Sequence, residues 1–83
     1  MKLGNVHPEF SPAAMKRILE REGAERVSEE AKIQLLATIN FLAKEIAHHA
    51  VRIARDTGKS TVTAENVRDA TKWVLEQGVT SYG

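Results

Sequence analysis

The chain has 83 residues, enough for one hydrophobic core but not for a two-domain enzyme. Apolar residues make up 42% of it and aromatic residues only 5%, a composition that favours a small core completed by a partner chain. The absence of cysteine excludes disulfides and thiolate zinc sites, and a formal charge of +1 means that any nucleic-acid surface must come from the placement of the cations.

Residues 1–10 show no hydrophobic period and contain Gly4 and Pro8, which predicts an N-terminal arm or tail. They also lack the apolar core of a secretory signal. No apolar run in the chain approaches the roughly 20 residues that cross a bilayer. We therefore expect a soluble cytoplasmic protein without a membrane partner.

The first helix is predicted from about Pro12 to Glu22. Ser11 followed by proline is a typical helix start, because the hydroxyl accepts a backbone N–H and proline has none to lose. Apolar residues recur in this segment at three- and four-residue spacing, and Gly23 supplies the left-handed end.

A second helix begins after Ser28 and meets no proline or glycine until Gly58. This span of about 29 residues, roughly 43 Å of helix, is far longer than is usual in a small domain. A monomer of three helices has too little other apolar surface to cover its apolar arc of roughly 140°, so the sequence predicts that the dimer is the folding unit. The predicted dimer core on this arc comprises Leu35, Ile39, Leu42, Ile46 and Ile53.

A third helix is predicted from about Ala64 to Glu76, capped by Thr63 and ended by Gly78. Residues 11–77 then form one all-α domain with a short, a long and a short helix, and residues 78–83 form a C-terminal tail. β-Branched residues in the two loops favour a short two-stranded pairing between chains. The sequence contains no glycine-rich phosphate loop, nucleophile motif or metal-ligand spacing, so we expect no catalytic residue, no cofactor and no metal.

This order of helices resembles the histone fold. The string GAERVS at residues 23–28 is similar to the first loop of archaeal histones, and HAVRIARDTGKSTVTAENVRDA at residues 49–70 is similar to their second loop and third-helix start. The resemblance covers about residues 11–75. It implies a handshake dimer in which the first loop of one chain lies beside the second loop of the other on a DNA-facing surface, and it implies a nucleoid location.

The resemblance assigns Arg26 in the first loop a role in DNA binding. Arg26 matches the arginine that archaeal histones insert into the minor groove, where facing phosphates focus negative potential. The alternative interpretation is a solvated loop arginine paired with Glu25 or Glu29.

The second loop is also a candidate for phosphate contact. Lys59, Ser60 and Thr61 match a segment that is commonly Gly-Arg-Lys-Thr in the family, with one cation fewer here. The hydroxyl and backbone N–H of Thr61 suit phosphate oxygens. The alternative is an ordinary capped loop.

Other cations are distributed over the helices. Arg17 matches a first-helix arginine of the family's DNA face, whereas Glu20 stands where lysine is usual and subtracts charge. Lys32 is expected to join the phosphate contacts near the first loop. Arg52 and Arg55 are interpreted as part of a solvated face near a helix C-terminus.

The adjacent histidines raise the question of a metal site. Because neighbouring helical residues point about 100° apart, His48 and His49 do not suit one ion, and no metal is expected. His49 is interpreted as a partly buried dimer residue.

Three positions depart from the family pattern where archaeal histone dimers commonly stack end to end. Histidine is usual where Asp56 stands, aspartate where Asn66 stands, and leucine where Asp69 stands. Asp56 and Asp69 would face their own copies across this contact, so stacking is expected to be poor at neutral pH.

Phe41 is an apolar residue at the centre of the polar arc of the long helix, where the family usually has an acidic residue. A single exposed aromatic is ordinary. Two copies near the middle of a dimer would nevertheless form one patch, with Ala37 one turn before it and His48 beyond it. The sequence leaves open whether Ala37, Phe41 and His48 form a second self-association surface, which would give closed tetramers.

Two functional hypotheses follow. The first is a non-enzymatic chromatin protein that dimerises and binds double-stranded DNA with little sequence preference, compacting or bridging it. The second is a histone-fold subunit of a transcription or repair assembly that pairs with a different chain and barely touches DNA. The low net charge and Glu20 favour the second hypothesis, whereas Arg26 and the Thr61 loop favour the first.

Overall fold

Three α-helices make up the described part of the chain. The computed structural model describes residues 10–77, with α1 at Pro12–Arg21, α2 at Glu29–Asp56 and α3 at Ala64–Gln77. The short, long, short order confirms the all-α class. Residues 10–77 contain no strand, and the predicted pairing between loops of two chains stays a prediction. The predicted arm, apart from Phe10, and the predicted tail with Gly78 lie outside the described residues.

Local hydrogen bonds of side chains and backbone fix the positions at which α1 begins and ends. Ser11 is extended, and its Oγ accepts a hydrogen bond from the Ala14 N–H at 3.1 Å. At the other end Gly23 has a φ of +113°, and its N–H donates to the Glu20 carbonyl at 3.0 Å. A second bond runs from the Ala24 N–H to the Leu19 carbonyl at 3.0 Å. This Schellman motif ends α1 at Arg21, one residue before the predicted end.

Helix α2 runs without interruption for 28 residues, which confirms the predicted long central helix. The Ser28 Oγ accepts a hydrogen bond from the Ala31 N–H at 3.0 Å. Its C-terminus repeats the motif of α1: Gly58 has a φ of +75°, and its N–H donates to the Arg55 carbonyl at 2.9 Å. The Lys59 N–H donates to the Ala54 carbonyl at 2.8 Å.

A reciprocal pair of hydrogen bonds begins α3. The Thr63 Oγ1 accepts from the Asn66 N–H at 3.2 Å, and the Asn66 Oδ1 accepts from the Thr63 N–H at 3.0 Å. This is a capping box in which the shorter side chain of Asn66 takes the place of the usual Glu or Gln. The helix extends to Gln77, one residue beyond the predicted end.

The chain forms two compact units whose boundary lies inside α2, between Asn40 and Phe41. Among the described residues, the first unit fully buries the side chain of Met15, and the second buries Ala50, Ala54, Ala70 and Val74. The larger apolar residues of α2 are less well covered, since Ile33 is 54% exposed. The predicted core residues are only half-buried in the single chain: Leu35, Ile39, Leu42, Ile46 and Ile53.

Candidate nucleic-acid interface

The first loop holds an exposed arginine between two fixed helix ends. Gly23 begins the loop in the left-handed conformation, and Ser28 ends it as the cap of α2. Val27 is half-buried, whereas Arg26 next to it is exposed. The backbone on both sides of Arg26 is therefore fixed by hydrogen bonds while its side chain faces solvent.

The charge of Arg26 is not neutralised by the acidic residues near it in the sequence. Within residues 10–77 the ion pair closer than 4.0 Å joins Lys32 to Glu29, not Arg26 to Glu25 or Glu29. The interpretation of Arg26 as one half of a loop ion pair does not describe this structure. Its guanidinium keeps its donors available for another acceptor.

Lys32 lies one turn into α2 and is held against that turn. Its Nζ lies 2.9 Å from the Glu29 Oε1, and its side chain is 17% exposed against 67% for Glu29. An ion pair of this kind at the surface is worth only about 0.2–1 kcal/mol, so a phosphate oxygen can displace the carboxylate. Lys32 is nevertheless a weaker candidate for phosphate contact than Arg26, because its ion pair with Glu29 must first be broken.

The second loop has the same plan as the first. A left-handed glycine, Gly58, begins it, and a hydroxyl cap, Thr63, ends it five residues later, as Ser28 follows Gly23. The three predicted contact residues between these ends are all exposed: Lys59, Ser60 and Thr61. Within residues 10–77 the hydroxyls of Ser60 and Thr61 have no hydrogen-bond partner. One ammonium group and two hydroxyls therefore face solvent together.

At the helix N-termini next to these loops, the helix dipole attracts phosphate and the acidic side chains of the first turn repel it. The unpaired N–H groups and the dipole of a helix N-terminus attract anions. Glu29 and Glu30 occupy the first turn of α2, and Glu65 occupies that of α3. These carboxylates already compensate part of the positive dipole end. Attraction of phosphate must therefore depend on the loop cations more than on the helix ends.

The six predicted contact residues fall into two groups in the single chain. Arg17 is exposed on α1 and belongs to the first unit with Arg26 and Lys32. Lys59, Ser60 and Thr61 belong to the second unit. Each loop thus presents its own cation.

The residues proposed for a second self-association surface are exposed on α2. Phe41 is 44% exposed, and Ala37 and His48 are also exposed. Two polar residues of the same arc already bond to each other, since the Gln34 Nε2 donates to the Thr38 Oγ1 at 3.3 Å.

A pocket of about 410 Å³ lies between the last turns of α2 and the middle of α3, and both predicted stacking residues, Asp56 and Asp69, line it. The His49 ring lies 4.3 Å from the Trp73 ring, centroid to centroid. Sequence reasoning did not single out Trp73, although its four-residue spacing from Asp69 places both on one face of α3. The lining residues are His49, Arg52, Ile53, Asp56, Asp69 and Trp73.

The rings of His48 and His49 lie 5.4 Å apart in an edge-to-face arrangement. Residues 10–77 contain no group of three or more His, Cys, Asp or Glu side chains placed to hold a metal ion. In the same part of the chain, no helix is long and apolar enough to cross a membrane.

Comparison with known proteins shows which family this sequence resembles. Residues 8–71 match the family of histone-like transcription factors (CBF/NF-Y) and archaeal histones. The chain belongs to this family. It is 41% identical over 64 residues to the A subunit of archaeal histone HAN1 from Thermococcus zilligii, a match that covers 77% of this chain and 96% of the relative. It is 37% identical over 62 residues to probable archaeal histone 3 of Methanocaldococcus jannaschii, covering 75% and 92%.

Membership confirms the histone fold and the resemblance to archaeal histones. The three helices described above are therefore the three helices of a histone fold, and the protein is a histone-like chromatin protein.

Proposed function

We propose that this protein is a non-enzymatic, nucleoid-associated histone that dimerises and binds double-stranded DNA with little sequence preference, compacting or bridging it. The observation that carries the proposal is the exposed Arg26, which has no ion pair within residues 10–77 and is held in a loop whose two ends are fixed by hydrogen bonds. A cation fixed in this way contacts phosphates and the minor groove without reading base identity.

Dimerisation is supported by the incomplete burial of α2. Ile39, Leu42 and Ile46 are only half-buried, and Ile33 is 54% exposed. A helix with such a wide apolar arc needs a second apolar surface, and a second copy of the same chain supplies a matching one. A head-to-tail pairing would also bring the first loop of one chain to the second loop of its partner, and so join the two groups of cations.

A salt-dependent gel shift on several duplexes of unrelated sequence tests DNA binding. We expect similar affinities for all duplexes and a linear fall of log affinity with log salt concentration, since the contacts go to phosphates. Strong preference for one duplex would contradict sequence-independent binding. Absence of any shift at low salt would remove DNA binding from the function.

The rival function is a histone-fold subunit that acts through pairing with a different chain. The formal charge of +1 and Glu20 favour it, because a protein that coats DNA gains from a larger positive charge. The relative from Thermococcus zilligii is named as a subunit, which is consistent with a heteromeric partner. Under this hypothesis the gel shift is weak and the chain forms a complex with a second histone-fold protein.

Assembly beyond the dimer is proposed to use the Phe41 face, consisting of Ala37, Phe41 and His48. End-to-end stacking is disfavoured, because Asp56 and Asp69 line one pocket and would face their own copies. Contact through the Phe41 face closes on itself after two dimers and gives a tetramer. A closed tetramer can bridge two duplexes but cannot extend into a continuous wrapped fibre.

A further inference from the structure

Arg68 is an exposed cation in the second turn of α3. The carboxylates nearest to it along the helix belong to Glu65, three residues before it, and to Asp69, which follows it directly. Neither forms an ion pair with Arg68 closer than 4.0 Å in the described part of the chain. The N–H donors of its guanidinium are therefore available to an acceptor from outside the chain.

The position of Arg68 around the axis of α3 turns it toward solvent. Because successive helical residues are about 100° apart, Arg68 lies about 120° or more from Ala70 and Val74, the buried residues of this helix. It lies about 100° from Asp69, which lines the pocket against α2. Arg68 thus belongs to the outer surface of α3, and Lys72 lies one turn further along the same surface.

Along the axis of α3, Arg68 is close to the second loop. It follows the cap residue Thr63 by five residues, a rise of about 7.5 Å. Side chains of a helix lean toward its N-terminus, so the guanidinium extends back over the first turn, in the direction of residues 59–61. Lys72 begins about 6 Å further from the loop.

We propose that Arg68 is a further DNA contact of this protein and that it binds, together with Lys59, the phosphates that the second loop faces. This inference rests on the DNA binding of the proposed function. Lys59 is the one cation between Gly58 and Thr63, and Glu65 in the first turn of α3 repels phosphate.

A guanidinium over the first turn of α3 does two things for a phosphate at this loop. It offsets the negative charge of Glu65, and it donates to the phosphate oxygens from a planar fork of N–H groups. Such a contact reads no base. Arg68 therefore adds affinity for duplex DNA without adding sequence preference.

The first test compares Arg68→Ala with Lys72→Ala in gel shifts of one duplex at several salt concentrations. Both variants lose one positive charge from the outer surface of α3, so an effect of net charge alone would be equal in the two. We expect Arg68→Ala to weaken binding roughly three- to tenfold and to lower the slope of log affinity against log salt by about one for each phosphate that is no longer contacted. Lys72→Ala should change both quantities much less.

Two controls accompany this comparison. Arg68→Lys keeps the charge and should retain most of the salt slope, although the forked donor geometry is lost. Circular dichroism and sedimentation show whether each variant has the helicity and the mass of the natural protein.

The second test measures proximity to DNA and does not depend on affinity. The chain contains no cysteine, so Arg68→Cys and Lys72→Cys each introduce a single thiol. An iron–EDTA reagent attached to that thiol cleaves the DNA backbone close to it through hydroxyl radicals. We expect strong cleavage from position 68 and little from position 72.

The proposal is overturned if Arg68→Ala, with the helicity and mass of the natural protein, binds DNA as tightly as the natural chain or only as weakly as Lys72→Ala. Cleavage that is absent from position 68, or equal from both positions, also overturns it. In these cases Arg26→Ala still weakens binding if the proposed function is correct. If the natural chain binds no duplex at low salt, the proposed function fails and this inference fails with it.

Discussion

Thr63 and Asn66 satisfy each other's backbone N–H at the start of α3. The amide oxygen of Asn66 accepts from the Thr63 N–H at 3.0 Å, and the Thr63 hydroxyl accepts from the Asn66 N–H at 3.2 Å. The position that is usually an aspartate in archaeal histones is thus used here to fix a helix start. A side chain bonded to its own cap is less available to brace a cation in the second loop.

The capping pair predicts a measurable contribution to stability. Asn66→Ala should lower the free energy of unfolding by about 0.5–1 kcal/mol, and Thr63→Ala by about 1 kcal/mol, because each leaves an N–H at the start of α3 without its partner. Urea denaturation at one fixed protein concentration measures both values. Asn66→Asp is the control, since a carboxylate oxygen can accept the same bond. Equal destabilisation by Asp and Ala would show that the bond contributes nothing.

Folding should depend on the partner chain. Ile46→Asp should abolish the folded dimer and give no folded monomer, because an unpaired carboxylate in an apolar interface costs about 3 kcal/mol or more. Sedimentation combined with circular dichroism measures mass and helicity together. Lys44→Asp introduces a carboxylate on an exposed part of the same helix and should keep the dimer. A compact helical monomer of the Ile46 variant would contradict the dimer argument.

DNA binding should weaken without any change in specificity when Arg26 is removed. Arg26→Ala should reduce affinity for all duplexes alike and lower the slope of log affinity against log salt by about one for each phosphate that is no longer contacted. Lys59→Ala should act in the same direction. Arg55→Ala, which removes the same charge from the solvated face, is the matched control. If Arg26→Ala leaves affinity and slope unchanged, the loop arginine does not contact DNA.

Substitutions on two surfaces should change assembly beyond the dimer in opposite directions. Phe41→Glu should dissociate any tetramer into dimers, because it places two carboxylates where two aromatic rings would meet. Asp69→Leu should promote end-to-end growth, because it removes a repelling carboxylate and adds apolar surface. Light scattering with and without DNA measures both effects. If Asp69→Arg alone disrupts the assembly of the natural chain while Phe41→Glu does nothing, ordinary stacking is in use and the closed tetramer is wrong.

The local features of this fold were accessible from sequence because each depends on residues close together along the chain. Ser11, Ser28 and Thr63 each bond to a residue three positions ahead, and Gly23 and Gly58 each take a positive φ that other residues avoid. The caps, the helix ends to within one residue and the long central helix follow from these neighbours alone.

The tertiary structure decided how side chains from different helices meet. Periodicity placed Arg52 on the polar arc of α2 and left Trp73 unnoticed, yet the two line one pocket because α3 folds back against the last turns of α2. The structure also shows that Glu29 pairs with Lys32 and that Arg26 has no ion pair within residues 10–77. A sequence pattern gives the face of a helix on which a residue lies, but the neighbour across that face is set by packing between segments distant in the chain.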